Sequence, residues 1–344
     1  MNIRFLTSWL LALGFAFQAT PALAKDEVVN VYSARKEALI LPLLEKFQTE
    51  TGIAFKLVTG KADGLLKRLE IEGRMSPADV FITVDAGRLA RAKAAGVLQP
   101  IRSDLLEQAV PQHMRDRDHY WYGVSQRART LIYNKHEVNP EELSTYETLT
   151  DAQWKGRLCI RSSGNIYNQS LTASMAATQG VAATEAWARG LVANFARPPA
   201  GGDTDQLKAV AAGQCDVALA NTYYFGRLQN SKKQRDRLIA ARLGLHWANQ
   251  GEGDRGVHVN VSGVGVTKHA RNVNAARRLM EFMVRPESQA WYAEVNNEFP
   301  VVPGSPISDV LKSWGAFKAD TVNLTKLGEY NAAAVKLMDR AGWR

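Results

Sequence analysis

The stretch Asp216-Val217-Ala218-Leu219-Ala220-Asn221-Thr222-Tyr223-Tyr224 decides how the chain is read. Its first five residues are a run without polar alternation beyond Asp216, the pattern of a parallel strand covered on both faces. Asn221 and Thr222 favour turns and helix N-caps, so the strand is expected to end there and deliver Tyr223 and Tyr224 to its carboxyl end. In open α/β sheets ligands collect in the crevice outside those ends. Successive side chains of a strand point to opposite faces, so both phenols reach one ligand only if the chain has left the strand by Tyr223. The alternative leaves one ring in the core and the other on the surface.

Working outward, strand and helix signals alternate on both sides of this stretch. Val28–Tyr32 reads as a strand, and Ala38–Phe47 as an amphipathic helix through Leu39, Leu43, Leu44 and Phe47, with Pro42 confined to its first turn. Ile53–Val58 is the next strand, followed by a helix through Leu65, Leu66 and Leu69 that stops at Gly73. Ala78–Ile82 is a third strand, and Leu89–Ala95 a third helix stopping at Gly96. A second series carries strands at Thr130–Asn134 and Gly156–Ile160, then helical spacing at Leu171 and Met175 and again over Ala186–Leu191. His258–Val266 reads as strands returning to the first sheet, followed by helices at Ala275–Met283 and Ser288–Ala293 and a closing helix over Leu324–Met338. Such alternation argues for an α/β protein with doubly wound sheets. Tyr32, Tyr167 and the Tyr223-Tyr224 pair all fall in strand-to-helix turns.

The N-terminus reads as an export signal over residues 1–24: Arg4 is the basic flank, Leu10–Phe17 the apolar core and Ala22-Leu23-Ala24 the cleavage site. The apolar run is too short to span a bilayer, so a soluble, monomeric chain in a bacterial periplasm is expected. No Cys follows the cleavage site to carry a lipid. Removing residues 1–24 from a chain of 344 leaves 320, a length that suits two domains. The expected first lobe is 25–125 with 256–300, and the second 126–255 with 301–344, joined by more than one crossover. The formal charge of +9 is spread along the sequence without a basic tail or zinc-finger spacing, which argues against a nucleic-acid partner. Two cysteines in an exported chain most simply pair, so a Cys159–Cys215 disulfide is expected; a reactive thiol or metal pair would lack CxxC-like spacing.

Several motifs, in order, carry a resemblance. They are Val31-Tyr32-Ser33-Ala34-Arg35, Ser76-Pro77-Ala78-Asp79-Val80, Gly123-Val124-Ser125-Gln126-Arg127, Trp154-Lys155-Gly156-Arg157, Asn221-Thr222-Tyr223-Tyr224 and Asn260-Val261-Ser262-Gly263. Over nearly all of the exported chain this order resembles the periplasmic ferric-ion-binding proteins of ABC-type iron uptake. The resemblance implies a two-lobed Venus-flytrap (type II periplasmic-binding-protein) fold that holds Fe(III) between the lobes and presents it to the membrane permease of an importer. It implies Tyr223 and Tyr224 as paired ligands, Tyr32 as a ligand from the first strand and Tyr167 as a further phenolate. Arg127 and Arg35 would stand behind them. One branch of the family uses a His-Glu-Tyr-Tyr set with a bound anion. No His stands beside Tyr32, so the sequence is similar to the tyrosine-rich branch.

The chemistry agrees with this resemblance. Hard cations take oxygen ligands, and phenolate is an anionic oxygen donor. A free phenol has a pKa near 10, so ionising one at pH 7 costs roughly 4 kcal/mol, which the metal must supply. Four phenolates on Fe(III) leave a net charge of −1, which Arg127 can offset.

Two other readings compete. The same fold could hold a small anion directly on Arg35 and Arg127, with the tyrosines as donors. Ser33-Ala34-Arg35-Lys36 is a formal S-x-x-K, the nucleophile motif of periplasmic serine enzymes, but its companions S-D-N and K-T-G are absent. G-x-S-x-G, H-E-x-x-H and Walker A sequences are also absent. No enzymatic role is expected, and the six dispersed histidines, His258 and His269 among them, read as ordinary structure.

Overall fold

In the computed structural model, which describes residues 27–344, the export signal expected at 1–24 lies outside the described residues. The chain opens as β1 (Val28–Ser33), α1 (Leu41–Thr51), β2 (Ala54–Thr59), α2 (Ala62–Glu72), β3 (Val80–Val84), α3 (Ala86–Ala94), β4 (Leu98–Gln99), α4 (Asp104–Ala109) and β5 (Tyr122–Asn134). It continues with β6 (Leu158–Cys159), α5 (Ile166–Gln179), α6 (Val181–Ala193), α7 (Asp203–Ala211), β7 (Val217–Asn221), α8 (Thr222–Gln229), α9 (Gln234–Ala241) and β8 (Leu243–His246). It ends with β9 (Val259–Thr267), α10 (Val273–Met283), α11 (Pro286–Asn296), α12 (Asp309–Ser313), α13 (Thr325–Glu329) and α14 (Asn331–Arg340).

The early helices follow their apolar spacing. Leu43, Leu44 and Phe47 are the buried face of α1, Pro42 sits in its first turn, and Gly52 ends it with φ of 72°. In α2 the buried face is Ala62, Leu65 and Leu69, and the helix stops at Gly73. Pro286 opens α11 as its first residue, where the missing N–H costs nothing.

The strands form one path, β2-β1-β3-β9-β5-β7-β6, with β4 on β9 and β8 on β5. The β1–β2, β1–β3 and β6–β7 pairs are parallel. β9 runs antiparallel to both β3 and β5, and β5 antiparallel to β7 and β8, so the sheet is mixed. β5 links the two halves. Tyr122–Ala128 pairs with β9, whereas Arg129–Tyr133 pairs with β7. A first lobe is thus built around β1–β4, β9 and the start of β5, and a second around the end of β5 with β6–β8.

The sequence pattern shows only the last five residues of β5 as a strand. Ser125, Arg127, Arg129 and Thr130 are all buried, and a strand with polar side chains inside has no hydropathy alternation to display. β9 is buried along its whole length. A Cβ at Gly263 would come within 2.6 Å of Leu89 and 2.7 Å of the Tyr122 carbonyl oxygen, so β9 fits under α3 and beside β5 only with glycine there.

The closing helix expected over Leu324–Met338 breaks at Tyr330 into α13 and α14. α13 packs on α3 of the first lobe and on α5 of the second, while α14 packs on α5 and α6. Leu324 and Leu327 are fully buried there. The last segment therefore touches both lobes.

Cys159 of β6 and Cys215, just before β7, form a disulfide with Cα atoms 5.9 Å apart. The bond ties the two neighbouring parallel strands of the second lobe and closes a loop with a sequence separation of 56. Loop-closure entropy assigns such a bond roughly 4 kcal/mol. The Cys159→Ala/Cys215→Ala double variant is expected to lose about 2–4 kcal/mol of unfolding free energy, read as a lower urea midpoint than that of the oxidised wild type.

Candidate functional site

Helix α8 begins at Thr222, immediately after β7, so Tyr223 and Tyr224 sit in its first turn and not on the strand. That geometry lets both phenols face one place. Their ring centroids are 4.4 Å apart and tilted by 38°. Asn221 stands at the N-cap position without capping. Its side chain instead donates to the Tyr223 hydroxyl at 3.3 Å and accepts from Arg129 at 3.2 Å. Tyr167 occupies the matching place on α5. Asn165 caps that helix by accepting the Tyr167 N–H at 3.1 Å.

Arginines surround the three rings. The Arg127 guanidinium lies 5.8 Å and that of Arg161 5.5 Å from the Tyr167 centroid. Arg227 lies 4.8 Å from the Tyr223 ring and 5.4 Å from the Tyr224 ring. Burial, together with the neighbouring phenols Tyr167 and Tyr224, raises the Tyr223 pKa well above 10, against the pull of Arg127. Burial and then Tyr167 and Asp203 push Tyr224 up to about 12. Both phenols are therefore protonated at neutral pH in the metal-free protein. The arginines supply positive charge where phenolates would form, and none of them donates a hydrogen bond to a tyrosine hydroxyl among the described residues.

Tyr32 stands apart from this cluster. Its hydroxyl donates to the Glu72 carboxylate at 2.9 and 3.0 Å, and Arg68 covers its ring at 4.8 Å. Its neighbours are the apolar side chains of α2 and α3, including Leu65, Leu69 and Ala92. Burial first, then Glu72, raises its pKa. Alternation along β1 explains the separation: Tyr32 turns toward α2, and Ser33 takes the opposite face.

Arg35 is buried and pairs with Glu298 at 2.8 Å, and Ser125 also donates to Glu298 at 2.6 Å. Burial opposes the Arg35 charge, but Glu298, Tyr292 and Tyr223 outweigh it, so Arg35 belongs to the electrostatic surroundings of the tyrosine pair. Ser33 is buried and accepts the Arg35 N–H at 3.2 Å, while Lys36 is exposed. The S-x-x-K residues are thus not assembled as nucleophile and base.

Among the described residues no group of three or more His, Cys, Asp or Glu could hold a metal ion. The oxygen donors that converge are phenols. A small cavity beside Tyr167 is lined by Asp85, Arg127, Arg129, Asn221, His258 and Asn260. His258 is buried there, and burial, then Arg255, Arg127 and Arg129, hold its pKa well below 6.5.

Residues 43–319 match the family of bacterial extracellular solute-binding proteins. The chain belongs to that family. It is 50% identical over 320 residues to "Iron uptake protein A1" of Synechocystis sp., covering 93% of this chain and 88% of the relative. A Trichodesmium FutA (IdiA) solved in complex with iron and citrate superposes with a TM-score of 0.89 at 50% identity, covering 92% of this chain and 100% of that one. Apo FutA2 of Synechocystis gives a TM-score of 0.89 at 44% identity, covering 93% and 100%. The fold of this solute-binding protein is the type II two-lobed one, as the sequence resemblance implies.

Sequence reasoning missed three side chains of the site. Arg227 follows Tyr223 and Tyr224 by four and three residues on α8, the spacing of helical neighbours, and could have been found once the helix was placed. Arg161 and Asp203 gave no signal, because only the folded chain brings α7 and the end of β6 together. Asp203 is fully buried; it accepts from Arg129 at 3.1 Å, from the Asn221 N–H at 3.0 Å and from Arg161 at 3.5 Å. It thereby fixes the strand end from which the tyrosine pair starts. Removing one partner of a buried pair strands the other charge. Asp203→Ala is expected to cost about 3–5 kcal/mol, measured by urea unfolding of the metal-free protein.

Proposed function

We propose that this solute-binding protein captures ferric ion between its lobes through the phenolates of Tyr167, Tyr223 and Tyr224 and delivers it, in the periplasm, to the membrane permease of an ABC importer. The observation that carries the reading is the convergence of three phenols among guanidiniums, with no carboxylate or imidazole cluster among the described residues to serve in their place. Relatives at 50% and 44% identity are named iron uptake proteins, and a structural neighbour holds iron and citrate.

Three phenolates balance the charge of Fe(III); with Asp85 and Asp203 set against Arg127, Arg129 and Arg161, the surrounding guanidiniums, Arg227 included, still leave a local positive surplus. That surplus suits an accompanying anion, and it also favours the second reading, in which the site takes a small anion alone. Colour separates the two, because a phenolate on Fe(III) gives a visible charge-transfer band and an anion does not. Tyr32 is not part of the proposed donor set, since Glu72 engages its hydroxyl and its ring packs against α2.

Loading must draw protons from Tyr223 and Tyr224, which hold them tightly. For Tyr224, at about 12, the cost at pH 7 is roughly 7 kcal/mol. Binding therefore releases protons. Since the phenols are protonated below their free-protein values, raising the pH lowers this cost and ferric affinity rises with pH through the neutral range.

Tyr167→Phe, Tyr223→Phe and Tyr224→Phe are each expected to reduce ferric affinity at least a hundredfold and to weaken the visible band, with circular dichroism unchanged. Tyr32→Phe is expected to keep both affinity and band. Titration with iron at pH 6.5 and 7.5 should show tighter binding at the higher pH, with fewer protons released by each of the three site variants. Wild-type colour and affinity in all three would refute the donor set.

A further inference from the structure

Asp85 follows β3 and caps α3 with φ of 85°, in the left-handed region that favours glycine. A strained backbone persists where the surroundings fix it, and here they converge on one fully buried carboxylate. One oxygen accepts the Gly87 N–H at 3.0 Å and the Ser170 hydroxyl at 2.6 Å. The other accepts from Arg127 at 3.4 Å. Asp85 and Gly87 belong to the first lobe. Ser170 belongs to the second, on α5, three residues beyond Tyr167. Arg127 lies on β5, the strand that links the lobes.

The fit is close. A Cβ on Gly87 would meet the Asp85 carboxylate at 3.2 Å, the Ser170 hydroxyl at 3.4 Å and Ile166 at 3.5 Å. The start of α3 thus abuts the first turns of the helix that carries Tyr167. Among the described residues Arg127 is tethered at one nitrogen. Its other terminal nitrogen has no protein partner among the described residues, and its guanidinium faces the Tyr167 ring at 5.8 Å. The other charges facing the tyrosines are Arg161, Arg227 and Asp203 from the second lobe and Arg35 from the first.

We propose that Asp85 is a positioning residue for ferric capture: its carboxylate fastens the first lobe to the tyrosine-bearing helix through Ser170 and, through Arg127, sets how much positive charge the phenolates feel. This inference rests on the ferric-ion reading above. Neither Asp85 nor Ser170 is in the proposed donor set. Asp85 acts on the metal through two other side chains, one that holds the lobes together and one that carries charge.

Two full-length variants separate these actions. Ser170→Ala removes the tie between lobes and leaves the Asp85–Arg127 pair. It is expected to enlarge the radius of gyration of the metal-free protein in small-angle scattering and to speed iron release to EDTA roughly tenfold, the loss of one charge-assisted hydrogen bond, with the band position unchanged. Asp85→Asn keeps an acceptor for Gly87 and Ser170, tolerates positive φ and removes the charge opposite Arg127. The unopposed guanidinium then lowers the energy of the phenolate electrons, so the charge-transfer band is expected to move to shorter wavelength. Wild-type scattering and release in Ser170→Ala would overturn the tie, and an unmoved band in a folded Asp85→Asn would overturn the charge role. A wild-type protein with no band at all would refute the ferric reading instead, and the metal-free scattering of Ser170→Ala would still decide the tie.

Discussion

Two guanidiniums two residues apart on one strand constrain the whole molecule. Arg127 and Arg129 project from the same face of β5, and both are buried. A buried charge must be paired and hydrogen-bonded. The carboxylates that answer them come from opposite directions: Asp85 from the first lobe to Arg127, and Asp203 from the second to Arg129. β5 is thus more than a connector. Its charges recruit one acid from each lobe, and each acid organises its own neighbourhood. Asp203 holds the Asn221 backbone from which Tyr223 and Tyr224 start, and Asp85 reaches the helix of Tyr167 through Ser170.

The tyrosine site follows from this frame together with one local device. Leaving the strand at Asn221 places two adjacent phenols in the first turn of a helix. Burial beside other phenols makes them poor acids, and nearby guanidiniums moderate that effect. Such a pocket disfavours empty phenolates, and in the proposed donor set a trivalent cation would neutralise all three at once.

Much of this was legible in the sequence. The apolar run Val217–Ala220 and the turn residues after it announced a strand delivering the tyrosine pair, and Leu43, Leu44 and Phe47 announced α1. The ordered motifs announced the family. What could not be read was direction. In the sequence Tyr32 reads as a strand-to-helix residue like Tyr167, yet it lies within β1, where alternation sends it toward Glu72 and Arg68, and no hydropathy pattern records which face of a doubly buried strand looks into a cleft. The long strand β5 was hidden for a related reason, since its inward residues include serine, arginine and threonine. The break at Tyr330 depends on α13 fitting between α3 and α5, a tertiary demand invisible in a local apolar pattern.

The disulfide bears on how firmly the proposed donors are held together. It joins β6, which leads into the loop before Tyr167, to the approach of β7, which ends at Tyr223 and Tyr224. All three phenols of the proposed set therefore hang from one cross-linked pair of strands in one lobe. A donor set carried by one cross-linked unit keeps its internal spacing independently of the contacts across the lobes. Parting the lobes at Asp85 and Ser170 would therefore uncover the proposed site without pulling its donors apart.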